Sequence, residues 1–217
     1  RRYMRKIGIT SLNKAYRHGI RRFYDVLEWC HDLGMRELTI YTLSIENIRN
    51  RGKAEVYALL NLFSKQAVDA LNDKRIAERE IRVNICGDKE YLSTVSPLGA
   101  SVVERLNELE ESTKKFNNFN LNLAIAYGGR QELINATRKV VEDGLEINEE
   151  NIERNLWIKN SPEVIIRTAE SRLSNFLLWQ SAYSEIYFVD KLWGEFERED
   201  LLGVLDDYNS KERRFGK

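Results

Sequence analysis

The strongest constraint on the fold is an alternation of short apolar runs and amphipathic helical segments along the chain. Five runs have the length and the β-branched, apolar composition of buried strands, namely 37–43, 81–86, 121–127, 163–167 and 185–189. Helical periodicity occupies most of the intervals between them. This alternation requires right-handed crossovers, and it therefore predicts an α/β fold with a mostly parallel β-sheet flanked by helices on both faces.

The helical segments show apolar positions three and four residues apart, with turn-forming residues at their ends. We expect helices over 13–33, 53–74, 97–109, 130–142, 148–157, 174–182 and 197–209. The chain has 217 residues, no low-complexity linker and only two prolines, so we predict a single domain over 1–217.

Composition excludes several classes of function. Lys and Arg together number 34, as do Asp and Glu, so no overall field attracts nucleic acid and we expect no nucleic-acid partner. Cys30 and Cys86 lack a CxxC spacing, which indicates a reducing compartment such as the cytoplasm. Neither His18 nor His31 has metal-ligand or triad spacing. No apolar run approaches 18 residues, so we expect no membrane-spanning segment.

Polar residues follow the ends of several predicted strands, and parallel sheets bind ligands at the carboxyl ends of their strands. The segments 44–47, 87–88, 128–130 and 167–174 are therefore expected on one rim of the sheet. The sequence YGGR at 127–130 allows close backbone approach, but it is neither a GxGxxG nor a Walker loop. A nucleotide-binding domain is accordingly disfavoured.

The segment after the fourth predicted strand carries Arg167, Arg172 and Ser174. Two guanidiniums and a hydroxyl at the start of a helix can hold phosphate oxygens and gain from the helix dipole. In the structural alternative, Ser174 caps its helix while the arginines pair with Glu170 and Glu185. The residues alone leave both interpretations open.

Two further strand ends carry residues with two interpretations each. Ser44 and Asn47 could orient a proton or a phosphate, or they could simply form a strand-to-helix turn. Glu185 opens the last strand, and a lone carboxylate suits Mg²⁺, which uses few carboxylates together with substrate phosphates. Its alternative is a salt bridge to an arginine.

Four blocks together resemble the cis-prenyltransferase family, the undecaprenyl diphosphate synthase-like isoprenyl transferases. They are RLSNFLLWQSAYSEIYF at 172–188, YGGR at 127–130, TLSIEN at 42–47 and ERRFG at 212–216, and their order and spacing run nearly end to end. The resemblance implies a homodimeric, Mg²⁺-dependent transferase. It would condense isopentenyl diphosphate units in cis onto an allylic diphosphate, giving a polyprenyl diphosphate, a lipid-carrier precursor. It also implies a hydrophobic tunnel, enclosed by sheet and helices, for the growing chain.

The resemblance also implies roles for individual residues. Arg167, Arg172 and Ser174 match residues that bind the phosphates of isopentenyl diphosphate, with Arg167 also in a catalytic role. Ser44 and Asn47 match catalytic residues near the proton-abstraction step. Glu185 matches the glutamate associated with Mg²⁺, and the other implied substrate-binding residues are Arg2, Tyr3, Arg51, Arg214 and Gly216. The Arg-x-Gly at 214–216 would reach the partner subunit's site.

The sequence departs from the family pattern at four places. The family's Asp-Gly-Asn would stand immediately before Arg1, and we expect it upstream with the strand that carries it. Tyr16 replaces the usual His of a Gly-His-x-x-Gly block. The loop 167–172 is one residue shorter than the usual Arg-Thr-Ser-Gly-Glu-x-Arg pattern. Ile48 stands where an aromatic residue is usual, and one residue is inserted before Glu55.

The alternative function is a non-catalytic subunit or scaffold of the same fold that binds a catalytic partner. It is disfavoured because an inactive subunit needs few of the matched residues, and here Asn47, Arg167, Arg172, Ser174 and Glu185 are present together. The lipid nature of the implied product leads us to expect a cytoplasmic enzyme in peripheral contact with the membrane.

Overall fold

A computed structural model describes residues 2–6, 8 and 10–211 of the chain, apart from the side chains of Arg2, Arg5 and Asn13. The residues group into two compact units. Gly34–Lys159 form one, here called the mid-chain unit. Arg1–Leu33 and Asn160–Lys217 form the other, here called the terminal unit.

Helices and strands alternate through the described residues. In chain order they are α1 (Arg2–Lys6), α2 (Leu12–Asp32), β1 (Glu37–Ser44), α3 (Ile45–Asn50), α4 (Lys53–Leu71), α5 (Lys74–Glu78), β2 (Ile81–Cys86), α6 (Lys89–Thr94), α7 (Gly99–Thr113), β3 (Phe119–Tyr127), α8 (Gly129–Glu142), α9 (Glu149–Asn155), β4 (Val164–Thr168), β5 (Glu185–Val189), a 3₁₀ turn (Trp193–Glu195) and α10 (Arg198–Ser210).

The mid-chain unit is built on a three-stranded parallel sheet in the order β1-β3-β2. Strand β3 lies in the middle and is the most buried, with Leu121, Ala124 and Ile125 at most 3% exposed. Both of its edges are hydrogen-bonded, which explains why its sequence is almost continuously apolar at its carboxyl end. Helix α7 contacts both α4 and β2.

A row of polar side chains crosses this sheet and specifies its register. Asn122 of β3 donates from Nδ2 to Glu37 Oε1 at 2.6 Å and to Thr39 Oγ1 at 3.1 Å. Its Oδ1 accepts from Asn84 Nδ2 at 2.9 Å. Thr39 and Asn84 lie directly opposite Asn122 on the neighbouring strands. A one-residue slip would turn the buried amide toward the other face of the sheet, so these hydrogen bonds disfavour other registers.

The terminal unit contains a second parallel pair, in which β4 runs beside β5 from Val164↔Glu185 to Thr168↔Val189. Helix α10 contacts β5, and α2 contacts the 3₁₀ turn. The phenol of Tyr208 in α10 donates to Glu163 Oε1 at 3.0 Å, next to the start of β4. The amphipathic stripe of α2 buries Val26, Leu27 and Cys30.

The predicted α/β class and the parallel pairing are confirmed, and all five predicted strands form within two residues of their expected bounds. The described strands make two hydrogen-bonded sheets where we expected one. Prediction of a single domain over 1–217 stays a prediction. No helix of the described part of the chain has the length and apolarity needed to cross a membrane.

The predicted helix over 174–182 is wrong, because this segment consists of turns and bends. Ser174, Asn175 and Leu177 have φ values of +52°, +64° and +46°, in the left-handed region that interrupts a right-handed helix. Apolar spacing in this segment reflects burial, since Leu177 and Gln180 are at most 2% exposed. The helix expected to begin at Pro97 instead begins at Gly99.

Candidate functional site

The carboxyl ends of β1, β2 and β3 lie at one edge of the mid-chain sheet. Ser44 is paired with Tyr127, and Cys86 is paired with Ala124, so all three strands end near the same level. This places the segments 44–47, 87–88 and 128–130 along that edge, as predicted from the strand pattern. The fourth segment predicted for the same rim, 167–174, instead belongs to the other sheet, at the end of β4.

Gly87 shows how closely the backbone approaches at this edge. Its φ is +149°, and a Cβ there would lie 1.9 Å from the carbonyl oxygen of Ile125. No residue with a side chain can occupy this position without moving β3. The next residue, Asp88, caps α6 by accepting from the backbone N–H of Tyr91 at 2.7 Å.

Three predicted site residues of the mid-chain unit are brought together by side-chain hydrogen bonds. Ser44 Oγ accepts from the backbone N–H of Asn47 at 3.0 Å and thereby caps α3. Asn47 Oδ1 accepts from Arg51 Nη2 at 2.6 Å. The other terminal nitrogen of Arg51, Nη1, lies 3.4 Å from Glu55 Oε1. These contacts hold the guanidinium of Arg51 in one orientation.

Glu55 is a member of this cluster that the sequence reasoning did not assign. Its carboxylate is 8% exposed, and buried carboxylates are stable when paired with a cation. The spacing of four residues between Arg51 and Glu55 was the available signal. Because α3 ends at Asn50 and α4 begins at Lys53, the pair spans a break between two helices.

In the terminal unit, one arginine near the end of β4 and one in the segment after it converge on one oxygen atom. Arg167 Nη2 donates to Glu170 Oε2 at 3.0 Å. Arg172 reaches the same Oε2 from Nε at 3.0 Å and from Nη2 at 2.9 Å. Ser174 Oγ lies 3.4 Å from Arg167 Nη2. The structure therefore brings Arg167 and Arg172 together around one anionic oxygen, with Ser174 beside Arg167. The pairing with Glu170 is the one that the structural alternative predicted for the arginines.

This cluster has one further donor. The Nε of Arg167 is buried and has no hydrogen-bond acceptor within the described residues. A buried N–H without an acceptor is costly, so such a donor points to a missing anion or water. The helix-dipole contribution expected at Ser174 does not apply, because no helix begins there.

Glu185 lies at the amino end of β5, beside Val164, whereas Arg167 is paired with Phe188 near the other end of the two strands. The Glu185 carboxylate pairs with Lys211 Nζ at 3.2 Å, whereas the structural alternative expected an arginine as its partner. Lys211 also contacts Asp207 and Tyr187, and the hydrogen bond to Asp207 raises the pKa of this lysine above its ordinary value. Among the described residues, no group of three or more His, Cys, Asp or Glu side chains is placed to hold a metal ion.

The remaining predicted substrate-binding residues are at the chain ends. Tyr3 belongs to α1, and its ring centroid lies 5.9 Å from that of His18. Arg2 is in the same helix, but its side chain lies outside the described residues. Arg214 and Gly216 also lie outside them.

The described residues form an α/β protein in which each of the two units presents polar side chains at or next to the ends of parallel strands. The sequence family described as "Putative undecaprenyl diphosphate synthase" matches residues 1–216. The chain belongs to this prenyltransferase family.

Individual relatives agree with this membership. A tritrans,polycis-undecaprenyl-diphosphate synthase (geranylgeranyl-diphosphate specific) of Pyrococcus horikoshii is 42% identical over 209 residues, covering 92% of this chain and 76% of the relative. An isoprenyl transferase of Thermus thermophilus is 39% identical, covering 100% of this chain and 85% of the relative. The crystal structure of lavandulyl diphosphate synthase from Lavandula x intermedia, in complex with dimethylallyl diphosphate, has a TM-score of 0.86 at 30% identity and covers 100% of this chain and 93% of that one. These similarities confirm the predicted family and the predicted class of enzyme.

Proposed function

We propose that this protein condenses isopentenyl diphosphate units in cis onto an allylic diphosphate and so makes a polyprenyl diphosphate. The observation that carries the proposal is the convergence of Arg167 and Arg172 on one oxygen of Glu170. That oxygen occupies a position suited to a phosphate oxygen, and the buried Nε of Arg167 supplies a donor still without an acceptor in the described chain. Family membership supplies the class of reaction.

In this reaction the bond between C1 of the allylic substrate and its diphosphate oxygen breaks, and diphosphate leaves with the bonding electrons. The double bond of isopentenyl diphosphate attacks C1, and a proton is then lost from its C2 to form the new cis double bond. Arg167, Arg172 and Ser174 would hold the diphosphate of isopentenyl diphosphate and orient its double bond. No covalent enzyme intermediate is needed, which agrees with the absence of nucleophilic motifs from the sequence.

Ser44 and Asn47 would act near the proton-loss step. Their hydrogen bonds fix the start of α3 and the Asn47 amide, whose Oδ1 faces Arg51. Arg51 would contribute a positive charge to a diphosphate group, with Glu55 holding its guanidinium in place. We also assign substrate binding to Arg2, Tyr3, Arg214 and Gly216 by resemblance, and we propose an apolar tunnel for the growing chain.

We propose Mg²⁺ as the cofactor, held by Glu185 together with substrate diphosphate oxygens. A single exposed carboxylate fits this ion, which binds through few protein ligands and several phosphate or water oxygens. When bound, Mg²⁺ neutralises charge on the departing diphosphate. Lys211 competes for the same carboxylate, because its Nζ lies 3.2 Å from Glu185 Oε2.

The metal assignment predicts opposite effects for two substitutions. Glu185→Gln should raise the Mg²⁺ concentration needed for half-maximal activity, because it removes the charged ligand. Lys211→Met should lower that concentration, because it removes a competing cation. Activity is measured across a Mg²⁺ titration for each variant and for wild type. An unchanged titration for Glu185→Gln would remove this residue from the metal role.

We also propose a homodimer in the cytoplasm, in peripheral contact with the membrane that receives the lipid product. The Arg-x-Gly of residues 214–216 supports the dimer by resemblance. The apolar product supports the membrane contact, since long isoprenoid chains partition into lipid.

The proposal is tested by incorporation of radiolabelled isopentenyl diphosphate. The protein is expressed with whatever residues its gene encodes before Arg1, and it is supplied with Mg²⁺ and dimethylallyl or geranylgeranyl diphosphate. We expect a long-chain polyprenyl diphosphate with at least one primer. Product absent with every primer, from a protein that is folded by circular dichroism, would favour the non-catalytic subunit of the same fold.

A further inference from the structure

The 3₁₀ turn and its flanking residues, 192–196, contact the first two helices of the chain. Trp193 Nε1 donates a hydrogen bond to the carbonyl oxygen of Gly19 in α2 at 3.0 Å. The indole also lies within ordinary van der Waals distance, 3.8 Å, of the place that a Cβ on Gly19 would occupy. This anchors the turn on α2.

The same turn also contacts α1, through an ion pair with Lys6. Glu195 Oε1 pairs with Lys6 Nζ at 2.6 Å, while Glu195 Oε2 accepts from the backbone N–H of Leu192 at 3.1 Å. The ion pair lowers the pKa of Glu195 below its ordinary value. Tyr3 and Lys6 are three residues apart and so share one face of α1. That face is the one turned to the 192–196 segment.

Gly194 lies against the ring of Tyr3. A Cβ on Gly194 would lie 2.6 Å from Cζ, 2.8 Å from Cε2 and 2.9 Å from Cε1 of the Tyr3 ring. Cβ atoms do not approach other heavy atoms so closely, so any other residue at 194 would displace the ring. The ring atoms are the far end of a side chain with rotatable bonds, so they give way more readily than backbone atoms would. A substitution at Gly194 therefore changes the orientation of Tyr3 before it disturbs the fold.

We propose that the 192–196 turn positions Tyr3 for binding a prenyl diphosphate substrate, and that Gly194 is the positioning residue. This inference rests on the proposed function, which assigns Tyr3 to substrate binding. Gly194 touches no substrate itself and acts only through the Tyr3 ring. Its identity follows from the contact distances and not from any motif in the sequence.

The test compares Gly194→Ala with Gly203→Ala, a matched control in α10 where a Cβ would meet no atom within 4 Å. Steady-state kinetics are measured with isopentenyl diphosphate and with the allylic primer. We expect Gly194→Ala to raise KM for one of the two substrates about fivefold, as the loss of one good side-chain contact would, with kcat little changed. Gly203→Ala should leave both constants unchanged.

A double-mutant cycle shows whether Gly194 acts through Tyr3. In a Tyr3→Ala background the ring is gone, so adding Gly194→Ala should change KM by no more than about twofold. If Gly194→Ala raised KM as much in the Tyr3→Ala background as in wild type, the inference would be overturned. Wild-type KM values for Gly194→Ala alone would overturn it as well.

Failure of the proposed function is recognised separately. If the wild type makes no product, binding of isopentenyl diphosphate and of a thio-linked allylic diphosphate analogue is measured by calorimetry for the same four variants. A higher Kd for Gly194→Ala than for wild type, with no such increase when Gly194→Ala is added to Tyr3→Ala, would support the positioning role without turnover. An unchanged Kd would overturn that role.

Discussion

At the scale of single residues, the contacts of Arg167 and Arg172 with Glu170 bear on the site both with and without a bound substrate. Arg172 is largely exposed, and its pair with Glu170 would add little to stability because solvent screens it. Its value would lie in binding, because Glu170 holds the guanidinium close to Arg167. A diphosphate that replaced this carboxylate would meet two cations already in place, with little reorganisation needed.

Arg172→Ala is expected to raise KM for isopentenyl diphosphate roughly 10- to 150-fold, the effect of losing a charge-assisted hydrogen bond. The matched control is Arg154→Ala, which removes an exposed arginine paired with Glu150 in α9. Initial rates across a range of isopentenyl diphosphate concentrations give both KM values. If Arg172→Ala and wild type had the same KM, Arg172 would not bind the diphosphate of isopentenyl diphosphate.

Ser44 combines a structural and a proposed catalytic role, and two substitutions separate them. Ser44→Ala removes the cap of α3 and should lower the free energy of unfolding by about 1 kcal/mol. Ser44→Asn keeps a capping oxygen but removes the hydroxyl. If the hydroxyl takes part in the reaction, both variants lose kcat while only Ser44→Ala loses stability. A wild-type kcat for Ser44→Asn would mean that Ser44 only caps α3 and takes no part in the reaction.

At the scale of elements, a buried carboxylate joins β3, α8 and the segment after α9. Glu132 is 1% exposed and accepts from the Tyr127 hydroxyl and, at 2.9 Å, from the backbone N–H of Ile158. The Tyr127 carbonyl oxygen in turn accepts from Tyr41 in β1 at 3.2 Å. These bonds fix the glycines at 128–129, at the edge where the strands end.

Glu132→Ala would leave the Tyr127 hydroxyl and the Ile158 amide without this acceptor. We expect the free energy of unfolding to fall by roughly 2–5 kcal/mol, from unmade buried hydrogen bonds and a small cavity. Glu150→Ala, at an exposed position, should change it by less than about 0.5 kcal/mol. Urea denaturation followed by circular dichroism provides both values. A change below 1 kcal/mol for Glu132→Ala would contradict the bracing role.

The contrast between confirmed strands and the wrong helix at 174–182 shows what the sequence could predict. Apolar alternation such as that of 81–86 is a local pattern that burial produces directly, and it predicted β2 residue for residue. Apolar spacing around Leu177 has the same origin, but the left-handed φ values of residues 174 and 175 leave no periodic pattern in the sequence. The same holds for the site: residue types indicated an anion site and, as the structural alternative, the pairing of the arginines with Glu170. The pairing of Arg51 with Glu55 lies across a break between two helices, and the sequence analysis did not assign it.

At the scale of the whole molecule, the proposed dimer makes a prediction about mixed subunits. Arg167→Ala inactivates a subunit's own site, whereas Arg214→Ala would inactivate the site of its partner. In a mixed dimer one site then has both wild-type residues, and the other has neither. Co-refolding the two inactive variants in equal amounts should therefore restore about a quarter of wild-type activity, because half of the dimers are mixed.

The control for this experiment is Arg167→Ala mixed with Arg172→Ala. Both substitutions damage the subunit's own site, so no mixed dimer has an intact site, and mixing should add no activity to that of the two variants measured separately. Size-exclusion chromatography with light scattering measures the dimer in each mixture. Failure of the Arg167→Ala and Arg214→Ala pair to regain activity, with dimers present, would confine each site to one subunit.

The central place of β3 has a consequence for synthesis on the ribosome. Strands β1 and β2 are made first, but each pairs only with β3 among the described strands, so neither has its partner until residue 127 has left the exit tunnel. Until then the nascent chain contains two apolar strands with unpaired edges, and such edges promote aggregation. The two ends of the chain belong to one unit, so α2 lacks its packing partners until residues beyond 160 have been made. Chaperones that bind nascent chains should thus be needed most before residue 127 has left the exit tunnel and, for α2, before the residues beyond 160 have left it.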